Sequence, residues 1–177
     1  FLTNRECPFR CIMCDLWKNT LPTSVQPGDI PAQITWALNR LPEARVIKLY
    51  NSGNFFDRKA IPPVDYPVIA SQVAYADRVI VENHPLLCTD AVPRFRDQLS
   101  GSLEVALGLE TVHPEILPRL NKGMTLDQFA SAVRFLRREE IDVRAFILLR
   151  PPFLNEAEGI EWALESIRSS FAQSVQC

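Results

Sequence analysis

Short apolar runs rich in β-branched residues alternate along the chain with segments whose apolar positions repeat every three or four residues. The runs occupy residues 1–3, 46–50, 78–82, 103–109 and 143–149, and a further run begins at Val175. Runs of this length predict β-strands, and the periodic segments between them predict helices. Strands that alternate with helices form repeated βα units around a parallel sheet. We therefore predict an α/β fold with five strands and the start of a sixth.

The helical segments have recognisable starts and ends. In the first segment the apolar face begins after Asp29, which we predict to be the N-cap, and the helix ends before Pro42. Thr125 and Gln128 have the spacing of a capping box at the start of a second helix. A third apolar face, near the end of the chain, consists of Ile160, Leu164, Ile167 and Phe171.

The composition is that of an ordinary globular protein, and it narrows the class of partner. The chain has 177 residues, of which 47% are hydrophobic, and its net charge is −2. Such a chain has no overall attraction for nucleic acid, so DNA is not an expected partner. No apolar run is long enough to span a bilayer and no leader is recognisable, so we expect a cytoplasmic protein without a membrane partner. The start at Phe1 and the stop inside a new apolar run indicate a fragment of a longer protein.

Three of the five cysteines lie close together directly after the first predicted strand. Cys7, Cys11 and Cys14 have the spacing C-x3-C-x2-C, whereas Cys88 and Cys177 are isolated. An odd number of cysteines does not fit a disulfide framework, and clustered thiols indicate metal or redox chemistry. Three thiolates can hold an iron–sulfur cluster that leaves one iron open, or a zinc ion that a distant ligand completes. They can also be three ordinary thiols.

Polar residues follow the predicted strands at the points where the strands end. Residues 51–54, residues 82–84, Glu110 and Arg150 end four successive strands in this way. In parallel α/β folds the carboxyl ends of the strands meet at one edge of the sheet, and ligands bind there. We therefore expect these residues to face one cavity together with the cysteine run.

The segment 4–14, with the sequence NRECPFRCIMC, resembles the signature of the radical S-adenosylmethionine (radical SAM) superfamily. The resemblance implies a partial (β/α)6 TIM-like barrel, truncated at its C-terminus, with residues 1–177 as one core domain. It implies that Cys7, Cys11 and Cys14 hold a [4Fe–4S] cluster whose fourth iron binds S-adenosylmethionine. In that superfamily an electron from a donor such as a flavodoxin or ferredoxin cleaves the sulfonium. The resulting 5′-deoxyadenosyl radical abstracts hydrogen from the substrate, so the resemblance implies an enzyme of the Fe–S oxidoreductase type.

The same resemblance implies a set of cofactor-binding residues at the strand ends. The turn after residues 46–50 takes the place of the superfamily's glycine-rich turn, whose backbone receives the methionine amino group. Met13 stands where an aromatic residue is usual and would cover the adenine. Glu110 would contact the ribose or the methionine carboxylate and Arg150 the carboxylate, although either could instead belong to a structural ion pair. The implied set is Met13, Asn51, Ser52, Gly53, Glu110, Ile147 and Arg150.

Three further segments, residues 107–111, 120–125 and 146–156, are similar to one group within this superfamily. That group is typified by the catalytic subunit of elongator and the radical SAM subunit of archaeosine synthase. The similarity covers essentially the whole chain, and it implies a tRNA base as one candidate substrate beside an unidentified small molecule. Two other interpretations stay open. The chain could be a non-catalytic zinc-binding or redox-sensing module, or a barrel that binds its cofactors without turnover.

Overall fold

The computed structural model of the chain describes residues 1–173 and residue 175. Its centre is a sheet of four parallel strands in the order β1-β2-β3-β4. The strands are β1 (Val46–Leu49), β2 (Arg78–Asn83), β3 (Ser102–Glu110) and β4 (Asp142–Ile147). Every pair of neighbouring strands is parallel. The predicted α/β fold with a parallel sheet is confirmed.

Helices connect the strands and precede the first one. The helices are α1 (Asp29–Leu38), α2 (Tyr66–Gln72), α3 (Ala91–Arg96), α4 (Ile116–Arg119), α5 (Leu126–Arg138) and α6 (Glu156–Ala172). Short 3-10 turns occupy Leu16–Asn19, Pro63–Asp65 and Pro85–Leu87. None of the helices within residues 1–173 is both long and apolar enough to cross a membrane.

The predicted strand at residues 1–3 does not form. Leu2 N donates to Tyr50 O at 2.8 Å, and within the described part of the chain this is the one backbone bond that continues the sheet beside β1. The backbone of Thr3 is instead bound by the side chain of Gln33, which accepts from Thr3 N at 2.7 Å and donates to Thr3 O at 2.9 Å. A helix side chain therefore takes the place of the strand ladder. Of the predicted sixth strand, only Val175 lies among the described residues, and it belongs to no strand.

The two faces of the sheet have different characters. Val79, Val81 and Val105 point to the face that packs against the helices, where they belong to one continuous hydrophobic core. The alternate positions point to the opposite, inner face. There Glu104 is fully buried and accepts from Arg144 Nε at 2.5 Å and from Arg78 Nη1 at 3.1 Å. The pair of guanidinium groups compensates the cost of burying this carboxylate.

The sheet curls around its inner face. Tyr50 directly follows β1 and Phe146 lies in β4, at the opposite edge of the sheet, yet their ring centroids are only 6.1 Å apart. In a flat sheet the first and fourth strands would be about 14 Å apart, because neighbouring strands are separated by roughly 4.8 Å. The two aromatic side chains span part of this separation, and their contact fits a curved sheet, as in part of a barrel wall.

The helix ends agree only partly with the predictions. The capping box of α5 is confirmed, since Thr125 accepts from Gln128 N and Gln128 accepts from Thr125 N. The predicted N-cap at Asp29 is wrong: the N-cap of α1 is Gly28, at a φ of 92°, and the Asp29 carboxylate accepts from Gln26 N. A left-handed backbone at that position favours glycine over any other residue.

The last helix also differs from its prediction. The residues of α6 that face the core are small, namely Gly159, Ala163, Ser166 and Ser170. Ile160, Leu164 and Phe171 of the predicted apolar face are instead exposed. Ser166 and Ser170 donate to backbone carbonyls one turn earlier, which satisfies their hydroxyl groups inside the core. The small residues let the helix approach the sheet closely, and the two serine hydroxyl groups at this interface have hydrogen-bond partners.

Candidate functional site

A cavity of about 160 Å³ lies at the carboxyl ends of the strands. One wall is the cysteine loop, defined here as residues 5–21. The opposite wall, the strand-end wall, consists of residues at or after the ends of β1, β2 and β3. The loop contributes Cys7, Phe9, Cys11, Met13 and Cys14, and the strand-end wall contributes Ser52, Gly53, Glu82, His84, Glu110 and Lys122. The structure therefore brings the three predicted metal ligands to one cavity with four of the predicted cofactor-binding residues.

The cysteine loop is closed on itself at its base. Arg5 and Leu21 form an isolated parallel bridge. Glu6 N donates to Leu21 O at 2.9 Å and Leu21 N donates to Asn4 O at 2.8 Å. These bonds fix where the loop leaves the chain and where it returns.

The middle of the loop is held from the opposite wall. Phe9 stacks on His84 with ring centroids 3.6 Å apart and planes 10° from parallel. Ile12 N donates to Leu120 O at 3.0 Å, and Asn121 Nδ2 donates to Arg10 O at 3.1 Å. The position of the thiols thus depends on the segment that follows α4.

The three thiols are half-buried and free. Burial raises the pKa of Cys7 and of Cys11, because it disfavours the thiolate, and the positive charge of Lys122 counteracts part of that effect at both. Cys7 has a further partner, since Asn54 Nδ2 donates to Cys7 Sγ at 3.2 Å. A donor on the sulfur and a nearby cation are both features that favour a metal-binding thiolate.

The donor chemistry of the loop fits an iron–sulfur cluster. Three cysteine sulfurs facing one cavity are the ligand type that such clusters use, with each thiolate on a separate iron. No three His, Cys, Asp or Glu side chains in residues 1–173 are close enough together to hold a single metal ion. The loop is therefore compatible with the cluster in the identity of its ligands and in their placement around one cavity.

The turn after β1 forms much of the strand-end wall. Glu82 Oε1 accepts from Asn51 N at 2.8 Å and from Gly53 N at 3.4 Å, so a carboxylate of β2 shapes this turn. Burial raises the pKa of Glu82, while the backbone donors counteract part of the shift. A side chain added at Gly53 would place its Cβ 3.7 Å from Cys7 Cβ. The missing side chain keeps the space between this turn and Cys7 open.

Asn51 lies beneath the turn and does not line the cavity. Its side chain is fully buried, and neither its Nδ2 nor its Oδ1 has a hydrogen-bond partner among the described residues. Its backbone oxygen accepts from Asn4 Nδ2, which ties the turn to the start of the cysteine loop. Ser52, the next residue, does line the cavity and has a φ of 55°, in the left-handed region.

Glu110 forms an ion pair that the sequence did not reveal. Lys122 Nζ donates to Glu110 Oε1 at 3.0 Å, and both side chains are largely buried. A Cβ at Gly108 would lie less than 3 Å from both partners, so glycine there makes room for the pair. The structural partner of Glu110 is thus Lys122. Nothing in the periodicity of residues 120–125 distinguishes this lysine from an ordinary loop residue.

His84 connects the two walls. Its Nδ1 accepts from Leu86 N at 3.1 Å, which leaves the proton of the neutral ring on Nε2, 3.0 Å from Lys122 O. Burial lowers the pKa of His84 to about 4, and the charge of Lys122 acts in the same direction. The ring is therefore neutral near pH 7, and it joins Phe9 of the loop to the Lys122 backbone.

Two of the predicted cofactor-binding residues lie away from this cavity. Arg150 is exposed, and its side chain packs beside Gly159 in the first turn of α6. Ile147, the last residue of β4, is partly buried and packs against the hydrophobic core. Strand β4 ends at Ile147, earlier than the predicted end at residue 149, and α6 then holds Arg150 at the outside of the cavity rim.

No family model matches the chain. Among curated proteins, it is 28% identical over 166 residues to archaeosine synthase subunit beta of Methanosarcina acetivorans, and this covers 89% of the chain. It is 29% identical over 127 residues to the subunit of the same name from Thermococcus kodakarensis, covering 68% of the chain. An uncharacterized protein of Methanocaldococcus jannaschii is 25% identical over 167 residues, covering 88% of the chain. The chain spans only 39–48% of the length of these relatives.

Solved structures with the same fold are radical SAM enzymes. The methyltransferase TsrM from Kitasatospora setae, solved with cobalamin and a [4Fe–4S] cluster, matches 98% of the chain with a TM-score of 0.64 and 13% identity. The cobalamin-dependent enzyme OxsB, solved with S-adenosylmethionine, matches 96% with a TM-score of 0.62 and 14% identity. The chain covers 34% and 26% of those two proteins. It therefore has the fold seen in radical SAM enzymes, and in sequence it is related to archaeosine synthase subunit beta.

Proposed function

We propose that this chain is the core of a radical SAM enzyme. In this proposal Cys7, Cys11 and Cys14 hold a [4Fe–4S] cluster, and S-adenosylmethionine binds beside it. The observation that carries the proposal is the arrangement of the cavity, in which the three half-buried thiols of one loop face Gly53 and Glu110 at the carboxyl ends of a parallel sheet. Ligands bind at this edge in parallel α/β folds. The cluster with its bound cofactor supplies one-electron cleavage of the sulfonium, which starts hydrogen abstraction from a substrate.

The residues of the strand-end wall have separate tasks in this proposal. The turn at Ser52 and Gly53 offers backbone oxygens to the methionine amino group, since its amides are already engaged by Glu82. Glu110 offers a carboxylate oxygen to the ribose, because Lys122 contacts only its Oε1. Met13 covers the adenine from the loop side. Arg150 would reach the methionine carboxylate only after a rearrangement of residues 148–155, whereas Lys122 already faces the cavity.

A base in tRNA is the substrate class we propose first. The support is the sequence similarity to archaeosine synthase subunit beta, which extends over most of the chain. The electron would come from a small donor protein such as a flavodoxin or ferredoxin. Free thiols at the site fit a reducing compartment such as the cytoplasm.

Anaerobic reconstitution with iron and sulfide tests this proposal. The expected result is about four irons and four sulfides per chain, together with 5′-deoxyadenosine when dithionite and S-adenosylmethionine are added. Single substitutions of Cys7, Cys11 or Cys14 by Ser should abolish both. Cys88→Ser is the matched control, because Cys88 is a free thiol whose pKa burial raises to about 12 and it lies outside the triplet.

Metal analysis separates this proposal from the zinc-binding or redox-sensing alternative. One tightly bound zinc per chain, with neither iron nor sulfide after reconstitution, would overturn the radical SAM assignment. A cluster that binds S-adenosylmethionine but yields no 5′-deoxyadenosine would instead favour the barrel that binds its cofactors without turnover.

A further inference from the structure

One thiol of the triplet has an environment that the other two lack. Asn54 Nδ2 donates to Cys7 Sγ at 3.2 Å, and the Asn54 side chain is buried, with 4% of the residue exposed. Among the described residues no comparable side-chain bond reaches Cys11 or Cys14. The three predicted ligands are therefore not equivalent in the protein that surrounds them.

The geometry around Asn54 aims this donor at the sulfur. Asn54 follows Gly53, and a Cβ built at Gly53 would lie 3.7 Å from Cys7 Cβ, an ordinary contact distance, so this turn lies directly against Cys7. Asp57 N donates to Asn54 O at 3.2 Å, and Phe55 N donates to Glu82 O at 2.9 Å. The peptide group between Asn54 and Phe55 is thus held at both its oxygen and its nitrogen. The burial of the Asn54 side chain limits how far its amide can turn away from Cys7.

We infer that Asn54 is a positioning residue that raises the reduction potential of the cluster through its hydrogen bond to Cys7. This inference rests on the proposed function, since it requires that Cys7 is a cluster ligand. Hydrogen bonds to ligand sulfurs are one of the means by which proteins set cluster potentials. An N–H donor draws electron density from the sulfur and so stabilises the reduced form, which carries one more negative charge. Reduction adds one electron from an external donor and breaks no bond to the protein.

The test compares midpoint potentials of the reconstituted protein. Asn54→Leu removes the donor at similar volume and without adding charge, and Asn54→Ala repeats the loss if the leucine is not accommodated. The potentials are measured by anaerobic titration with dithionite and mediators, followed by electron paramagnetic resonance. Iron and sulfide content is measured on the same samples, so that loss of the cluster is distinguished from a shift of its potential.

A matched control is available at a second N–H···S contact, whose sulfur lies outside the cavity lining. Asn83 is equally buried and donates to Cys88 Sγ at 3.7 Å, and Cys88 lies outside the triplet. Cys88→Ala therefore breaks another buried N–H···S contact, at a residue that does not line the cavity. It should leave the potential closer to wild type than the Asn54 variants do.

We expect both Asn54 variants to keep the cluster and to lower the equilibrium constant for its reduction about tenfold, equivalent to about 59 mV for one electron. An unchanged potential in a variant with full iron and sulfide content would overturn the role of Asn54 and leave the proposed function intact. A shift of the same size in Cys88→Ala would also overturn it, because the effect would then not depend on Cys7. Absence of a cluster from the wild-type protein would overturn both proposals.

Discussion

The strand-end wall of the cavity is held by buried groups, whereas the cysteine loop is held mainly by contacts that reach across to that wall. Glu82 shapes the turn after β1, and Lys122 and Glu110 form a largely buried ion pair. The loop has its closed base, but its middle depends on Phe9 against His84 and on bonds to residues 120 and 121. The predicted ligands are thus ordered by the wall that is predicted to bind the organic cofactor. Damage to the strand-end wall should therefore displace the thiols, whereas damage to the loop should leave the strand-end wall intact.

The largest effect is expected where the two walls meet, at His84. The pKa of His84 is lowered from 6.5 to about 4 in the folded protein, so the unfolded state binds its proton first as the pH falls. The stabilisation is fully present above pH 6.5, and it is lost progressively between pH 6.5 and pH 4. The loss should reach about 3 kcal/mol, since one pKa unit corresponds to about 1.4 kcal/mol.

Urea denaturation of the cluster-free protein across this pH range measures that loss. His84→Asn is the control variant, because an amide does not titrate and the Asn oxygen can take the place of Nδ1 as the acceptor from Leu86 N. The difference between wild type and variant should shrink as the pH falls. If the difference in the free energy of unfolding stays constant from pH 7 to pH 4, His84 is not held as a neutral ring between the two walls.

The next largest effect should come from Glu82 in the strand-end wall. Glu82→Ala leaves the amides of Asn51 and Gly53 without their acceptor, and each buried unsatisfied group costs about 1–3 kcal/mol. We expect a loss of about 2 kcal/mol in the free energy of unfolding. Glu82→Gln keeps an acceptor oxygen and should lose much less. Equal losses in the two variants would mean that the amides do not depend on this acceptor.

The corresponding change in the loop should be smaller and more local. Phe9→Ala removes the stack on His84, and such aromatic pairs contribute about 0.5–1.5 kcal/mol beyond the area they bury. We expect a stability loss of about 1 kcal/mol but a clear drop in iron retained after gel filtration. Phe9→Leu serves as the control that keeps most of the apolar volume. If Phe9→Ala retains iron as the wild type does, the loop does not rely on the opposite wall.

The smallest effect on stability is expected at Gly108. In Gly108→Ala the added methyl meets the ends of the Glu110 and Lys122 side chains, which are flexible and can move aside. Stability should fall by less than about 1 kcal/mol. Binding of S-adenosylmethionine to the reconstituted protein should weaken severalfold, because the ion pair that positions Glu110 is displaced. Isothermal titration calorimetry compares the wild type with Gly108→Ala. An unchanged affinity for S-adenosylmethionine would mean that Glu110 does not contact the cofactor.

Most of the fold was predictable because its strands and helices follow regular patterns of apolar residues. The predictions were wrong where a side-chain contact or the size of a side chain decides the local structure. The four strands that form are four of the predicted apolar runs, and the capping box of α5 is visible in the sequence. Residues 1–3 have a strand-like pattern, but Gln33 from α1 binds the Thr3 backbone, and no periodicity reports such a contact. The apolar face of α6 was misassigned because small residues, not large ones, face the sheet.

The gathering of the three cysteines at one cavity was predictable from the sequence, and the surroundings of that cavity were predictable only in part. The spacing of Cys7, Cys11 and Cys14 indicates a shared site, and the strand-end rule places Gly53 and Glu110 beside them. Lys122 and Asn54 were not identified as site residues, because their roles depend on contacts between loops that are far apart in sequence. Arg150 was expected at the cavity, but the early end of β4 leaves it at the surface.

We propose that one cavity holds both a three-cysteine cluster and S-adenosylmethionine. The most direct measurement is the electron paramagnetic resonance spectrum of the dithionite-reduced, reconstituted protein with and without S-adenosylmethionine. We expect the signal of a [4Fe–4S] cluster that changes when S-adenosylmethionine is added, and we expect Glu110→Ala to need a severalfold higher concentration for the same change. A cluster signal that S-adenosylmethionine leaves unaltered in the wild-type protein, or a protein that binds zinc and gives no cluster signal, would contradict it.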